Sequence, residues 1–168
     1  NVDTNELVAL GHSPGGELAA FMGSTNDDAA FNGDPCNKGY SSNVTAVVDI
    51  DGILAFIHPE SGEGDDSKRT SSATYWFGYS KADNPKLWEQ ASPLTHVNEH
   101  AVPTLFLNSS VARMHAGRDD YIKKLNEYHI YSEVKTYFEA PHSFCLFDPW
   151  FKPMVLDISM FLHKVFKN

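Results

Sequence analysis

The chain has 168 residues, 42% of them hydrophobic, and a formal net charge of −9. That size and composition suit one globular domain. The acidic balance argues against nucleic acid as a partner, because phosphate contacts need clustered Lys and Arg, and no apolar run approaches the roughly 18 residues that span a bilayer.

Leu7–Gly11 reads as a buried strand, followed by a helix over Pro14–Gly23. Ser24–Ser42 is rich in Asn, Asp, Gly and Pro and reads as a surface connection. Val44–Ile50 is apolar and β-branched, the pattern of an interior parallel strand. A polar insertion follows, from His58 to about Ser92, with the acidic run Glu60–Asp66 and the aromatics Tyr75, Trp76, Phe77 and Tyr79. A short helix is expected at Asn84–Ala91, and the next strand at Val102–Asn108. Gly117–Tyr128 carries Tyr121, Ile122, Leu125 and Tyr128 on one helical stripe. Glu133–Glu139 is the last strand, and Val155–Phe166 a closing amphipathic helix. Strands alternating with helices predict a parallel sheet covered on both faces, a three-layer α/β/α arrangement.

Two motifs carry chemistry. Gly11-His12-Ser13-Pro14-Gly15-Gly16 sits between the first strand and its helix. Gly-x-Ser-x-Gly in that context is a nucleophile elbow, a tight turn that pushes one serine out above the sheet. Ser13 is thereby the candidate nucleophile. Pro14, which follows it, has no backbone N–H and so cannot offer the oxyanion donor usual at that position. Proline does suit the first position of a helix. The second motif is Glu139-Ala140-Pro141-His142-Ser143-Phe144, just after the last strand. A serine is a weak nucleophile until a base takes its proton, and His142 is the candidate base.

These residues, together with Ala91-Ser92-Pro93-Leu94-Thr95-His96-Val97 and Val102–Leu107, resemble the α/β-hydrolase superfamily, in its bacterial carbohydrate-esterase branch. That branch includes feruloyl, acetylxylan and pectin esterases. The resemblance implies a serine esterase acting on esterified plant-wall carbohydrate, in a secreted or periplasmic setting. It also implies that this chain corresponds to the C-terminal portion of that fold, since the fold places several strands and an oxyanion loop before its elbow. The strand bearing Ser13 would then lie at a sheet edge, and an apolar edge invites pairing. A homo-oligomer, or a partner supplying the other half, is expected.

The family's acid usually follows the third strand seen here, but Asn108-Ser109-Ser110-Val111-Ala112-Arg113 holds no carboxylate. Asp119 is the preferred acid, although an acid in the first turn of a helix also serves the macrodipole. Asp51, at the end of an earlier strand, and Glu139 are the alternatives. Arg113, His115 and Arg118 could bind an anionic sugar, or be plain surface charge. Trp76, Tyr75 and Tyr79 could stack on a sugar or aromatic ring, or hold the insertion down.

No cofactor is implied. The run Glu60–Asp66 lacks Ca²⁺-loop spacing and reads as a solvated loop, and no zinc pattern occurs. Cys36 and Cys145 could pair only if the fold brings them together. Asn43 and Asn108 match the glycosylation acceptor pattern. A second class of function remains open: a catalytically impaired domain that binds carbohydrate or protein.

Overall fold

A computed structural model describes residues 3, 5–31 and 39–167. Four parallel strands form its sheet in the order of the chain: β1 (Val8–His12), β2 (Ala46–Ile50), β3 (Thr104–Asn108) and β4 (Ser132–Thr136). The register pairs Val8 with Ala46, Val47 with Thr104 and Thr104 with Ser132. β2 and β3 are buried at every residue, because strands lie on both their sides and helices on both faces. β1 and β4 flank the described sheet and are half-buried.

Strand alternation divides the core. Val47 and Phe106 point to one face and pack with Ala19 and Ala20 of α1 (Pro14–Ser24). Tyr121 and Leu125 of α5 (Arg118–Glu127) complete that layer. Val48, Ile50, Leu105 and Leu107 point to the other face, against Met154 and Phe161 of α6 (Phe151–Phe166). The three-layer α/β/α arrangement expected from the alternation is present. α6 starts four residues earlier than its apolar stripe indicated, at Phe151. β4 ends at Thr136 rather than Glu139, and the chain turns before His142.

The polar segment between β2 and β3 is not structureless. It holds the short helices α2 (Ser72–Phe77), α3 (Pro85–Gln90) and α4 (Pro93–His96). Its aromatics form a third cluster, with Trp88 fully buried against Phe56 and Phe77. Asp66 accepts hydrogen bonds from the Ser71 N–H at 2.6 Å and the Thr74 hydroxyl at 2.8 Å, so the acidic run is stitched to α2. No group of acids, histidines and cysteines among the described residues could hold a metal ion.

Asn108 is 1% exposed and accepts from Arg118, which removes it as a glycosylation acceptor. Cys145 is a free buried thiol, and Cys36 lies outside the described residues. No described helix is long and apolar enough to cross a membrane.

Candidate active site

Ser13 links β1 to α1 as the N-cap residue, with φ 58° and ψ −120°. A non-glycine residue there is strained, and such strain persists only where surrounding structure holds it. Here the surrounding structure is close strand–helix packing. A Cβ on Gly11 would lie 2.0 Å from the Gly15 carbonyl oxygen, and one on Gly16 would lie 2.3 Å from Asp49 Oδ1. Gly15 has open space, so Gly11 and Gly16 are the positions that require glycine. Pro14 occupies the first helical position.

His142 lies on the loop between β4 and α6. Its Nε2 is 2.8 Å from Ser13 Oγ, and its Nδ1 is 2.9 Å from Asp51 Oδ2. Nδ1–H donates to the carboxylate, which leaves the Nε2 lone pair to accept the serine proton. Asp51 sits just past the end of β2, fully buried, with φ 53°. Its second oxygen accepts the Ser109 N–H at 2.7 Å. His12 supports the imidazole from below: its Nε2–H donates to the His142 carbonyl at 2.8 Å, and the two rings lie 4.7 Å apart.

Asp119, the acid preferred from sequence, stands elsewhere. Its side chain is 83% exposed and pairs with Arg118 at 2.8 Å, in the first turn of α5. Glu139 is exposed in the turn after β4. The carboxylate that reaches His142 is Asp51, the alternative at the end of the earlier strand. The segment where the family usually carries its acid contributes a backbone N–H instead, from Ser109. The sequence signal for Asp51 was its place at the carboxyl end of a buried parallel strand, level with Ser13, where α/β sheets bind ligands.

The relay opens into a cavity of about 470 Å³ lined by Ser13, His142, Ile53, Phe56, Met114 and Trp76, among others. Of the six residues expected to bind substrate, Arg113 and Trp76 line it, and Tyr75 and Tyr79 do not. Arg113 is paired with Glu63 at 3.2 Å. His115 and Arg118 do not line it. His115 donates from Nε2 to the Ser109 carbonyl at 3.0 Å and lies 3.8 Å from Asp51 Oδ1. Burial and the nearby Arg118 charge hold the His115 imidazole below its ordinary pKa, so it stays neutral. Arg118 reaches back to Asn108 Oδ1 at 2.7 Å. His115 braces the Ser109 backbone beside Asp51, and Arg118 the end of β3.

Sequence reasoning missed Glu17, which also lines the cavity and is 2% exposed. Burial raises its carboxyl from the ordinary 4.5 to about 8. Asp49 lies beneath, accepting the Gly52 N–H at 2.8 Å. Burial first, then the Asp51 and Glu17 charges, push Asp49 well above the usual carboxylate range, against the lowering effect of that hydrogen bond and of Arg118.

The BD-FAE family model, of a carboxylesterase-type α/β-hydrolase family, matches residues 1–114. The chain belongs to the BD-FAE family. Among solved structures it is similar to a truncated carbohydrate esterase from gut microbiota, at 19% identity and TM-score 0.70, covering 96% of this chain and 61% of that one. It is also similar to an acetyl ester-xyloside bifunctional hydrolase from Caldicellulosiruptor lactoaceticus, at 17% identity and TM-score 0.68, covering 97% and 57%. A thermophilic esterase from Thermogutta terrifontis matches at 20% identity and TM-score 0.69, covering 98% and 57%. The chain thus spans roughly three fifths of these structures, and at such identities the likeness speaks to the α/β-hydrolase fold. No curated protein matches the chain.

Proposed function

We propose that this BD-FAE chain carries the catalytic relay of a serine carboxylic-ester hydrolase, with Ser13 as nucleophile, His142 as base and Asp51 as acid. The observation that carries this reading is the pair of contacts at His142, 2.8 Å to Ser13 Oγ and 2.9 Å to Asp51 Oδ2. His142 Nε2 takes the Ser13 proton as Oγ attacks the ester carbonyl carbon. The resulting tetrahedral oxyanion collapses to an acyl-serine, and the leaving alcohol takes the proton back from the imidazolium. Water, activated by the same histidine, then releases the acid and restores Ser13. Asp51 accepts from Nδ1–H and holds the imidazole's tautomer. The substrates we assign are acetyl, methyl or feruloyl esters on plant-wall carbohydrate, which fits a secreted or periplasmic setting.

The test is fluorophosphonate labelling and p-nitrophenyl acetate hydrolysis, with Ser13→Ala alongside. Stoichiometric labelling that vanishes in Ser13→Ala supports an activated serine. Equal background rates in both proteins would sink the reading.

Pro14 favours a second reading, a hydrolase-like domain with impaired catalysis and a carbohydrate- or protein-binding role. Loss of one oxyanion donor costs about 10²–10³ in rate. We also propose that the exposed apolar residues of the β1 edge, Leu7 and Leu10, are covered by a second chain or by further polypeptide. A monomer at high dilution in size-exclusion chromatography would argue against self-pairing.

A further inference from the structure

The mechanism leaves one cavity group unused. Ser13 is the N-cap of α1 and Glu17 lies in its first turn, with the Glu17 N–H donating to the Ser13 carbonyl at 3.1 Å. Helical side chains lean toward the helix N-terminus, which brings the Glu17 carboxyl back over the turn that holds Ser13. Glu17 is 2% exposed and lines the same cavity as Ser13 and His142. Its Oε2 is buried and has no hydrogen-bond partner among the described residues. Ile53, Phe56 and Met114 beside it are apolar. Buried polar groups are almost always partnered, and each exception calls for a cause. In ligand cavities, a few polar groups set in apolar walls fix the orientation of what binds.

We propose that Glu17 is a specificity residue of this cavity, whose carboxyl hydrogen-bonds a hydroxyl on the substrate and so selects esters of sugars over esters of plain alcohols and phenols. This rests on the reading of Ser13 and His142 as ester-cleaving machinery.

The choice of a hydroxyl follows from what a carboxyl can offer in each of its states. Burial places its titration at about 8, within the range where enzymes work. Protonated, it donates and needs an acceptor. Ionised, it accepts and needs a donor. A hydroxyl answers both, because it carries a proton and lone pairs. A carbonyl would be bound only by the protonated form, and an ammonium group strongly only by the ionised form. Trp76 on the same cavity adds a broad apolar face of the kind that lies against a sugar ring.

The test compares two acetyl esters, p-nitrophenyl acetate and a mono-O-acetylated methyl xyloside, by the ratio of their kcat/KM values. Their acyl group is identical, so the ratio reports on the alcohol portion. Glu17→Leu should lower the preference for the sugar ester by about 10- to 100-fold, the range for losing one buried hydrogen bond. Glu17→Gln, which keeps a donor and an acceptor, should hold the wild-type preference. The wild-type preference should also stay flat as pH passes through Glu17 titration. Fluorophosphonate labelling of Ser13 in each variant shows that the variant is folded with its serine activated. A labelled Glu17→Leu protein with unchanged preference overturns the proposal. So does a preference that changes as pH passes through the Glu17 titration, since a hydroxyl partner is bound in both states of the carboxyl. A wild-type protein without Ser13-dependent labelling instead sinks the ester-cleaving reading on which it stands.

Discussion

Asp51, behind His142, and Glu17, in the cavity wall, are two buried carboxyls held in opposite ways. Asp51 is fully partnered: one oxygen takes His142 Nδ1–H at 2.9 Å and the other takes Ser109 N–H at 2.7 Å. Glu17 keeps an oxygen with no partner among the described residues, and burial alone raises its titration to about 8. The first holds an imidazole in place. The second is left short of a partner at the place where a substrate would sit. Two acids near the same serine thus stand in different surroundings, one bonded to an imidazole and a backbone amide and the other set in the cavity wall. The difference lies in what the backbone offers each one.

The largest break in that contrast comes from Asp51→Asn. With its oxygen kept by the Ser109 N–H, the amide would turn its NH2 to Nδ1 and destabilise the tautomer that accepts the serine proton. The expected loss in kcat is about 10⁴, with the fold intact by circular dichroism. Asp119→Asn should leave the rate unchanged, since Asp119 is exposed and pairs with Arg118. Equal effects of the two substitutions would remove Asp51 from the relay. Pro14→Ala is expected to act in the other direction. It restores a backbone N–H directly after Ser13, and the rate of fluorophosphonate labelling should rise by about 10². No change would mean that the oxyanion is served without that position.

The elbow and the sheet were legible because both are local. Gly11-His12-Ser13-Pro14-Gly15-Gly16 dictates a tight strand-to-helix turn, and Val44–Ile50 and Val102–Asn108 dictate buried strands. His142 was legible from its place between the last strand and the closing helix. The acid was harder, because its identity depends on register. Asp51 reaches His142 only because β2 lies between β1 and β3, which puts the Ser109 amide within 2.7 Å of it. Asp119 is the nearest acid downstream of the segment where the family carries its own, but it sits exposed in the first turn of α5. Glu17 was read only as a helix former. Nothing in Glu17-Leu18-Ala19-Ala20 says that Glu17 ends buried without a partner, since the chain packed over it comes from beyond β2, where a Cβ on Gly52 would lie 2.4 Å from the Glu17 nitrogen.

Glu17 gives the contrast a thermodynamic form. Its pKa is about 8 in the folded chain and near the ordinary 4.5 when unfolded. Below about 4.5 both states hold the proton and Glu17 has no effect on the pH dependence. Between 4.5 and 8 the folded state binds more protons than the unfolded one, so stability falls as pH rises through that window. Above 8 both states are ionised and the decline stops. The total is on the order of a few kcal/mol, and the raised Asp49 carboxyl acts in the same sense. Urea unfolding across this range should show the decline in wild type and a flatter profile in Glu17→Gln. Identical slopes would mean that Glu17 is ionised in the folded chain at neutral pH.

The smallest effect is expected between these two extremes, at Arg113. Its guanidinium is 52% exposed and pairs at 3.2 Å with Glu63, whose carboxylate also takes the Ala73 N–H at 3.4 Å. Glu63 therefore keeps an anchor when Arg113 is removed, unlike Glu17, and has less burial to sustain than Asp51. Arg113→Ala should cost less than about 1 kcal/mol of stability, as exposed ion pairs do. The same pairing bears on substrate charge. A uronic-acid carboxylate entering the cavity would compete with Glu63 for a fork already engaged, at the rim of a chain whose net charge is −9. Acetylated galacturonate and acetylated xyloside should then lose activity equally in Arg113→Ala. A selective loss on the galacturonate ester would show that the substrate displaces Glu63 and would make Arg113 an anion clamp.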